Sequence, residues 1–387
     1  MKVTGYRSLT TVHDWGRPIG DVNGVVESGR TDVPLLLVET DAGITGVGLG
    51  AHPGVEDVFE AVLGRDPRSV TAIYDAMLDR AFKVGHAASF GAIGALDTAL
   101  WDIKAKAAGE PLWRLLGAAD RVVPAYASGL DTGLDEEELH ALYRRFAERG
   151  FTAAKLKGGL SLSRDLDRFA VVCDALSPAL APDEQPVLML DVNESWHPSH
   201  ALRYLARLEE QVDLSWVEEP VRRWDVEGHR RVRDGCRAAV ASGENLTGLE
   251  RFEPLLRADA VDVVQTGSVW GITHFLRVAA LAHGLGLPVS PVAYDTNPLA
   301  HAAAAVPNHL VLEVQDLGLP FGLQVDHELQ DGSVVLGDRP GLGLEVDVEA
   351  ITAGGGDGSW GSVAGPHTRP TDAGRRLRLD DRRGTHA

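Results

Sequence analysis

The apolar positions fall into two regimes along the chain. Residues 1–50 alternate with a period of two, and "VPLLLVETDAGITGVGLG" (33–50) predicts a strand, a turn at Asp-Ala-Gly and a second strand. "GVEDVFEAVLGRDPRSVTAIYDAML" (54–78) and "SFGAIGALDTALWDIKAKAAGEPLWRLLG" (89–117) carry apolar residues at helical spacing, the second closing on Gly117. From about residue 122 the pattern changes to eight short β-rich runs: "VVPAYASG", "TAAKLKGG", "PVLMLDVNE", "LSWVEEP", "AAVASGEN", "VDVVQTG", "LPVSPVAY" and "HLVLEVQD". They recur at roughly 21 to 34 residues, and helical stretches such as "DEEELHALYRRFAERG" fill the gaps. Eight βα units predict a barrel whose active site gathers at the C-terminal ends of its strands, with an open doubly wound sheet as the alternative.

The division that follows is an α+β domain over 1–120, a barrel over 121–320 and a turn-rich segment over 321–352 that returns to the first domain. The stretch 354–387, rich in Gly and Arg and without apolar periodicity, reads as a disordered tail.

Composition narrows the function classes. A formal net charge of −19 argues against nucleic acid and anionic membrane as partners. Cys173 and Cys236 have neither metal-site nor disulfide-framework spacing, which favours a reducing compartment. The start "MKVTGYRSLTTVHDW" lacks the apolar core of a signal peptide, so a cytoplasmic location is expected.

Charged residues interrupt runs that a barrel strand should keep apolar. Asp191, Glu218 and Glu244 end the third, fourth and fifth runs, where neighbouring strands face one shared space. Three converging carboxylates cannot all stay ionised and unpaired at low dielectric, and a cation is the simple remedy. Oxygen ligands without His or Cys select a hard ion, Mg²⁺ rather than Zn²⁺. The competing reading is that these acids pair with Arg or with helix N-termini.

The second run holds two of only six lysines in a chain that otherwise uses Arg. Lys155 and Lys157 are two apart and share one face of their strand. Facing inward, each is expected to have a lowered pKa from the other's charge and a nearby metal, and so to act as a base, which Arg cannot do. An outward, solvated pair is the alternative.

"KLK", "LDVNESW", "WVEEP" and "SGEN", in this order and spacing, resemble the enolase superfamily, and most nearly its mandelate racemase and acid-sugar dehydratase branch. "ALDTALWDIKAKAAGEPLWRLLG" resembles that family's capping-domain helix and its junction with the barrel. The resemblance covers about residues 1 to 350 and implies an α+β capping domain over a modified (β/α)7β TIM-like barrel. It implies Mg²⁺ on Asp191, Glu218 and Glu244, with Asn193 and Asn245 supporting them. Lys157 would abstract the proton α to a substrate carboxylate and Lys155 would help stabilise the enediolate, as is general for sites of this superfamily. Glu313 in "LVLEVQD" matches the family's eighth-strand acid, with a raised pKa as its expected state and an ion pair inside the barrel as the other reading.

The branch's usual His–Asp dyad after strands seven and six is missing: Val292 or a close neighbour stands at one position, and Gln265 or Gly267 at the other. Tyr294, Asp295 and His301 lie near the vacant place, His301 reading better as a packed helix residue. Arg17, Arg30 and His52 are polar candidates for substrate contact from capping loops. The resemblance, without the dyad that two-base racemisation would use, implies a dehydratase that removes water from a small-molecule sugar acid. A racemase or epimerase on the same scaffold, or a catalytically silent carboxylate-binding homologue, are the other readings. A homo-oligomer is expected.

Overall fold

The computed structural model describes residues 1–50, 53–82, 89–292 and 298–354. The N-terminal part is built from β1 (Val3–Asp14), the short hairpin β2 (Ile19–Asp21) and β3 (Gly24–Val26), β4 (Arg30–Thr40) and β5 (Thr45–Leu49). β1, β4 and β5 form an antiparallel meander, and Gly43 at φ 73° makes the Asp-Ala-Gly turn between the last two.

The helical stretch over 54–78 is two helices, α1 (Val55–Phe59) and α2 (Val70–Ala81). Gly64, at φ 73°, and Pro67 lie between them, and neither suits a helix interior. Likewise 89–117 divides into α3 (Phe90–Ala108) and α4 (Leu112–Leu115), because Gly109 caps α3 in the left-handed conformation and Pro111 precedes α4.

α3 lies against both β5 and the barrel. A Cβ on Gly48 would sit 2.0 Å from the Ala95 carbonyl oxygen, and one on Gly94 would sit 2.3 Å from that of Val269. These glycines let the helix approach backbone to backbone. Asp97 of α3 reaches Thr273 at its backbone N–H (2.7 Å) and hydroxyl (2.6 Å), tying the two parts together.

The barrel runs β6 (Val122–Ser128), α5 (Glu136–Ala147), β7 (Ala153–Lys157), α6 (Leu162–Leu176), β8 (Val187–Asp191), α7 (Pro198–Leu208), β9 (Leu214–Glu218), α8 (Val226–Arg233), β10 (Ala239–Ser242), α9 (Leu249–Arg257), β11 (Val263–Gly267), α10 (Ile272–His283), β12 (Val289–Val292), α11 (Leu299–Ala303) and β13 (Leu312–Val314). Each of the eight predicted runs contains one of these strands. β6 to β12 pair in sequence order, all parallel, and β13 pairs parallel with β6 through Leu312↔Ala125 and Glu313↔Tyr126. That pairing, with the Val289↔His309 bridge beside β12, closes the ring and excludes an open doubly wound sheet. Seven βα units and an eighth strand make the modified (β/α)7β barrel.

The chain then forms β14 (Leu323–Gln324), β15 (Glu328–Gln330), β16 (Ser333–Val335), β17 (Glu345–Val346) and α12 (Val348–Ala353). β16 pairs antiparallel with the start of β6, while the Phe321 N–H donates to Val12 O at 2.9 Å and the Leu342 N–H to Asp102 Oδ1 at 2.9 Å. The tail expected to be disordered lies, from residue 355, outside the described residues. Among the described residues no helix is long and apolar enough to cross a membrane.

Candidate active site

Register sets the site. Lys157 of β7 pairs with Asp191 of β8, and Asp191 pairs with Glu218 of β9, so three charged side chains stand level at the ends of adjacent strands. Glu244 lies two residues beyond the end of β10, and Glu313 stands on β13, across β6 from the lysines. All six side chains, with Lys155, are buried.

The contacts are short. Lys155 Nζ lies 2.5 Å from Glu218 Oε1, 2.8 Å from Glu313 Oε1 and 3.6 Å from Asp191 Oδ2, and it stands 5.5 Å from the Tyr126 ring centroid. Lys157 Nζ donates to Asp191 Oδ2. Asn193 donates to Asp191 through its backbone N–H (2.8 Å) and its side-chain amide (3.3 Å). Asn245 Nδ2 donates at 2.9 Å to both Glu244 Oε1 and Glu219 Oε1.

The lysine electrostatics correct the sequence expectation. Burial does work to deprotonate Lys155, but Glu218, Glu313 and Asp191 outweigh it and its pKa stands well above the ordinary lysine value. Lys157 is likewise raised: burial and Lys155 oppose protonation, and Asp191, Glu313 and Glu244 override them. The expected lowering invoked a nearby metal as well as the like charge; with the chain's own groups alone, the carboxylates within hydrogen-bond distance dominate.

Glu313 is corrected in the opposite sense. Burial favours its neutral form, yet Lys155 and Lys157 hold it below the usual carboxylate range, so the ion-pair reading describes its state. Asp191 is pulled down to about 2, against burial, by both lysines. Glu218 is pushed up to about 8 by burial, with Lys155 opposing and Asp191 and Glu244 adding to the rise, and Glu244 rises to about 7 for the same kinds of reason.

The donor set suits a divalent cation. The three acids are oxygen donors on consecutive strands, and burial and mutual repulsion press Glu218 and Glu244 toward protonation, a strain that a hard cation would relieve. Among the described residues no three acids converge as a ready-made metal cage, and the lysine ammonium groups contact Asp191 and Glu218.

Other predicted residues divide. Arg30 is exposed, 3.8 Å from the equally exposed Asp14. Arg17 packs 5.6 Å from the Trp15 ring and donates to Pro18 O at 3.3 Å, and burial lowers its pKa while Asp316 and Asp131 oppose. His301 is packed: its Nδ1 accepts from the Trp113 N–H at 3.3 Å and its Nε2 donates to Leu342 O at 3.2 Å. His52, Tyr294 and Asp295 lie outside the described residues.

Several contacts escaped the sequence reading. Gln265, standing where the dyad acid would be, donates to Glu218 Oε2 at 2.7 Å. Glu194 accepts from Arg223 beside the acids. Asp21, on the capping hairpin, is pushed up to about 6 by burial, with Lys157 opposing and Asp191 adding to the rise. Its only signal was an acid beside glycine in "GDVNG".

Residues 138–351 match the family described as enolase C-terminal domain-like, and residues 15–117 match the mandelate racemase / muconate lactonizing enzyme N-terminal domain. The chain belongs to the enolase superfamily. Within it, the chain falls in the mandelate racemase and acid-sugar dehydratase branch.

Among its enolase-superfamily relatives, the 3,6-anhydro-alpha-L-galactonate cycloisomerase of Streptomyces coelicolor is 34% identical over 333 residues, covering 82% of this chain and 89% of that protein. The L-talarate/galactarate dehydratase of Salmonella typhimurium is 34% identical over 356 residues, 86% of each. A crystal structure of that dehydratase with Mg and L-lyxarohydroxamate superposes with a TM-score of 0.78 at 28% identity, covering 91% of this chain and 92% of the other. A Streptomyces coelicolor racemase with bound magnesium gives 0.80 at 28%, covering 91% and 99%.

Proposed function

We propose that this enolase-superfamily chain is an Mg²⁺-dependent lyase that dehydrates a small sugar acid to its 2-keto-3-deoxy product. The observation that carries the reading is the buried array of Lys155 and Lys157 against Asp191, Glu218 and Glu244 at the mouth of one barrel. Relatives that are acid-sugar dehydratases, and neighbouring structures that contain magnesium, support it.

Asp191, Glu218 and Glu244 would hold the ion, steadied by Asn193 and Asn245. When bound, Mg²⁺ supplies Lewis-acid stabilisation of charge developing on the substrate carboxylate. Once Asp191 holds the ion, Lys157 would lose the carboxylate that keeps it charged, while burial and Lys155 still oppose its protonation, and as the free amine it removes the α-proton. The Lys155 ammonium, held between Glu218 and Glu313, places positive charge where the enediolate oxygens develop negative charge. Lys157, now carrying the α-proton, returns it to the departing 3-hydroxyl, so that the C–O bond breaks to give water and an enol, which tautomerises to the keto acid.

A second reading, isomerisation of a sugar acid on the same scaffold, is favoured by the cycloisomerase relative. Both begin with α-proton abstraction. A library of sugar acids incubated with enzyme and Mg²⁺ in D₂O separates them by mass: a keto acid lighter by water marks the lyase, and an isomer of unchanged composition apart from deuterium marks the isomerase.

A further inference from the structure

The strand that carries both lysines loses its neighbour just where they stand. β6 pairs with β7 through Ala127↔Ala154 and Ser128↔Lys155, and the chain then turns away through Leu130, at φ 47°. The Lys157 N–H, left without a strand partner on that side, donates instead to Asp131 Oδ1 at 3.1 Å.

Asp131 belongs to a buried polar cluster that grips the backbone of β7 at three atoms. Tyr143, from α5, lies with its hydroxyl 2.6 Å from Asp131 Oδ2 and 2.7 Å from the Lys155 carbonyl oxygen, one proton shared between two acceptors. Arg168, from α6, donates to Asp131 Oδ1 at 2.7 Å, to the Asp131 carbonyl at 3.0 Å and to the Lys157 carbonyl at 2.6 Å. Lys155 O, Lys157 N and Lys157 O are thereby fixed by side chains of a neighbouring loop and two helices.

The same loop touches the capping hairpin. Gly20 donates its N–H to Leu130 O at 2.8 Å and bridges to Asp131. A buried charged pair is a costly way to satisfy three backbone groups if stability alone were served, because apolar packing often does as well. Its geometric specificity suits another purpose, holding a reacting amine within the narrow tolerance that proton transfer demands.

We infer that Asp131, Tyr143 and Arg168 are positioning residues that set where the ammonium groups of Lys155 and Lys157 stand at the barrel mouth. The inference rests on the proposed role of Lys157 as base. Docking of the capping hairpin on Leu130 and Asp131 makes that placement sensitive to how the capping domain sits.

The chain has only six lysines, which makes the test direct. The full-length protein, labelled with ¹³C-lysine and loaded with Mg²⁺, is compared with Tyr143→Phe and Arg168→Lys by side-chain NMR, with Lys155 and Lys157 assigned from single Lys→Arg variants. The expected result is displaced Lys155 and Lys157 signals, four unmoved lysines and an unchanged fold by circular dichroism. On the acid identified by the library, kcat falls by about 10²-fold and KM stays within about threefold, as misplacement of a reacting group requires. Unmoved Lys155 and Lys157 signals in folded variants overturn the inference. Should Tyr143→Phe not fold, Asp131→Asn, which keeps an acceptor for the Lys157 N–H, is read by the same two criteria. Displaced signals together with full turnover by Lys157→Met would overturn the base assignment and leave the cradle standing.

Discussion

Lys155 Nζ lies 2.5 Å from Glu218 Oε1, so a candidate catalytic amine and a candidate metal ligand share one buried contact. Removing the amine leaves Glu218 and Glu313 facing each other without a cation between them. Lys155→Met is expected to lower stability by about 3–5 kcal/mol in chelator, the cost of leaving a buried charge unpaired. With saturating Mg²⁺ the loss shrinks, since Glu218 regains a cationic partner. Urea unfolding under the two conditions measures the difference.

Asn245 donates at 2.9 Å to Glu244 and to Glu219, and so fixes how Glu244 faces the barrel mouth. Asn245→Ala is expected to weaken Mg²⁺ binding by about 10–100-fold, the usual effect of removing a hydrogen bond that orients a ligand. Titration calorimetry with Mg²⁺ alone reads this without a substrate.

Asp97 gives the fold a pH dependence away from the acids of the site. Burial pushes its pKa up from 3.8 to about 7, although hydrogen bonds from Thr273 oppose the rise. A carboxyl raised in the folded state favours folding in its protonated form. Its contribution is full below about pH 4 and is lost as pH climbs through about 7. Across that window Asp97 should lower stability by up to about 1.4 kcal/mol per pH unit, and Asp97→Asn should remove this part of the slope in melts taken from pH 4 to 8.

Gly94 marks the closest approach of the capping helix to the barrel, where a Cβ would sit 2.3 Å from Val269 O. Gly94→Ala is expected to cost about 1–3 kcal/mol by overpacking, in spite of the better helix propensity of alanine. An unchanged melting temperature would show that the two parts do not press together there.

The barrel was legible because its strands announce themselves by short apolar runs at regular spacing, and the acids by standing at the ends of three consecutive runs. The breaks inside 54–78 and 89–117 were also written in the chain, at Pro67, Gly109 and Pro111, but helical periodicity on either side masked them. What could not be read was the sign of a local field. The pKa of Lys155 turns on carboxylates at 2.5 and 2.8 Å, and distance on that scale is absent from residue spacing. Gln265 was visible at the position of the missing dyad acid, but its contact was not: it reaches Glu218 across β10, two strands away, so no sequence offset connects them. The Asp131 cluster joins a loop and two helices, and its three members look like ordinary polar residues until the backbone of β7 comes between them.

Lys157 stands as the group that removes the proton α to a carboxylate. Its most direct test is exchange of that hydrogen for solvent deuterium, measured by NMR with Mg²⁺ in D₂O on the acid that the library identifies, in the wild-type enzyme and in Lys157→Met. With Lys157 as the base, exchange and product formation fall together by several orders of magnitude in the variant while Mg²⁺ still binds. Exchange continuing at the wild-type rate in a folded, Mg²⁺-loaded Lys157→Met enzyme would contradict it.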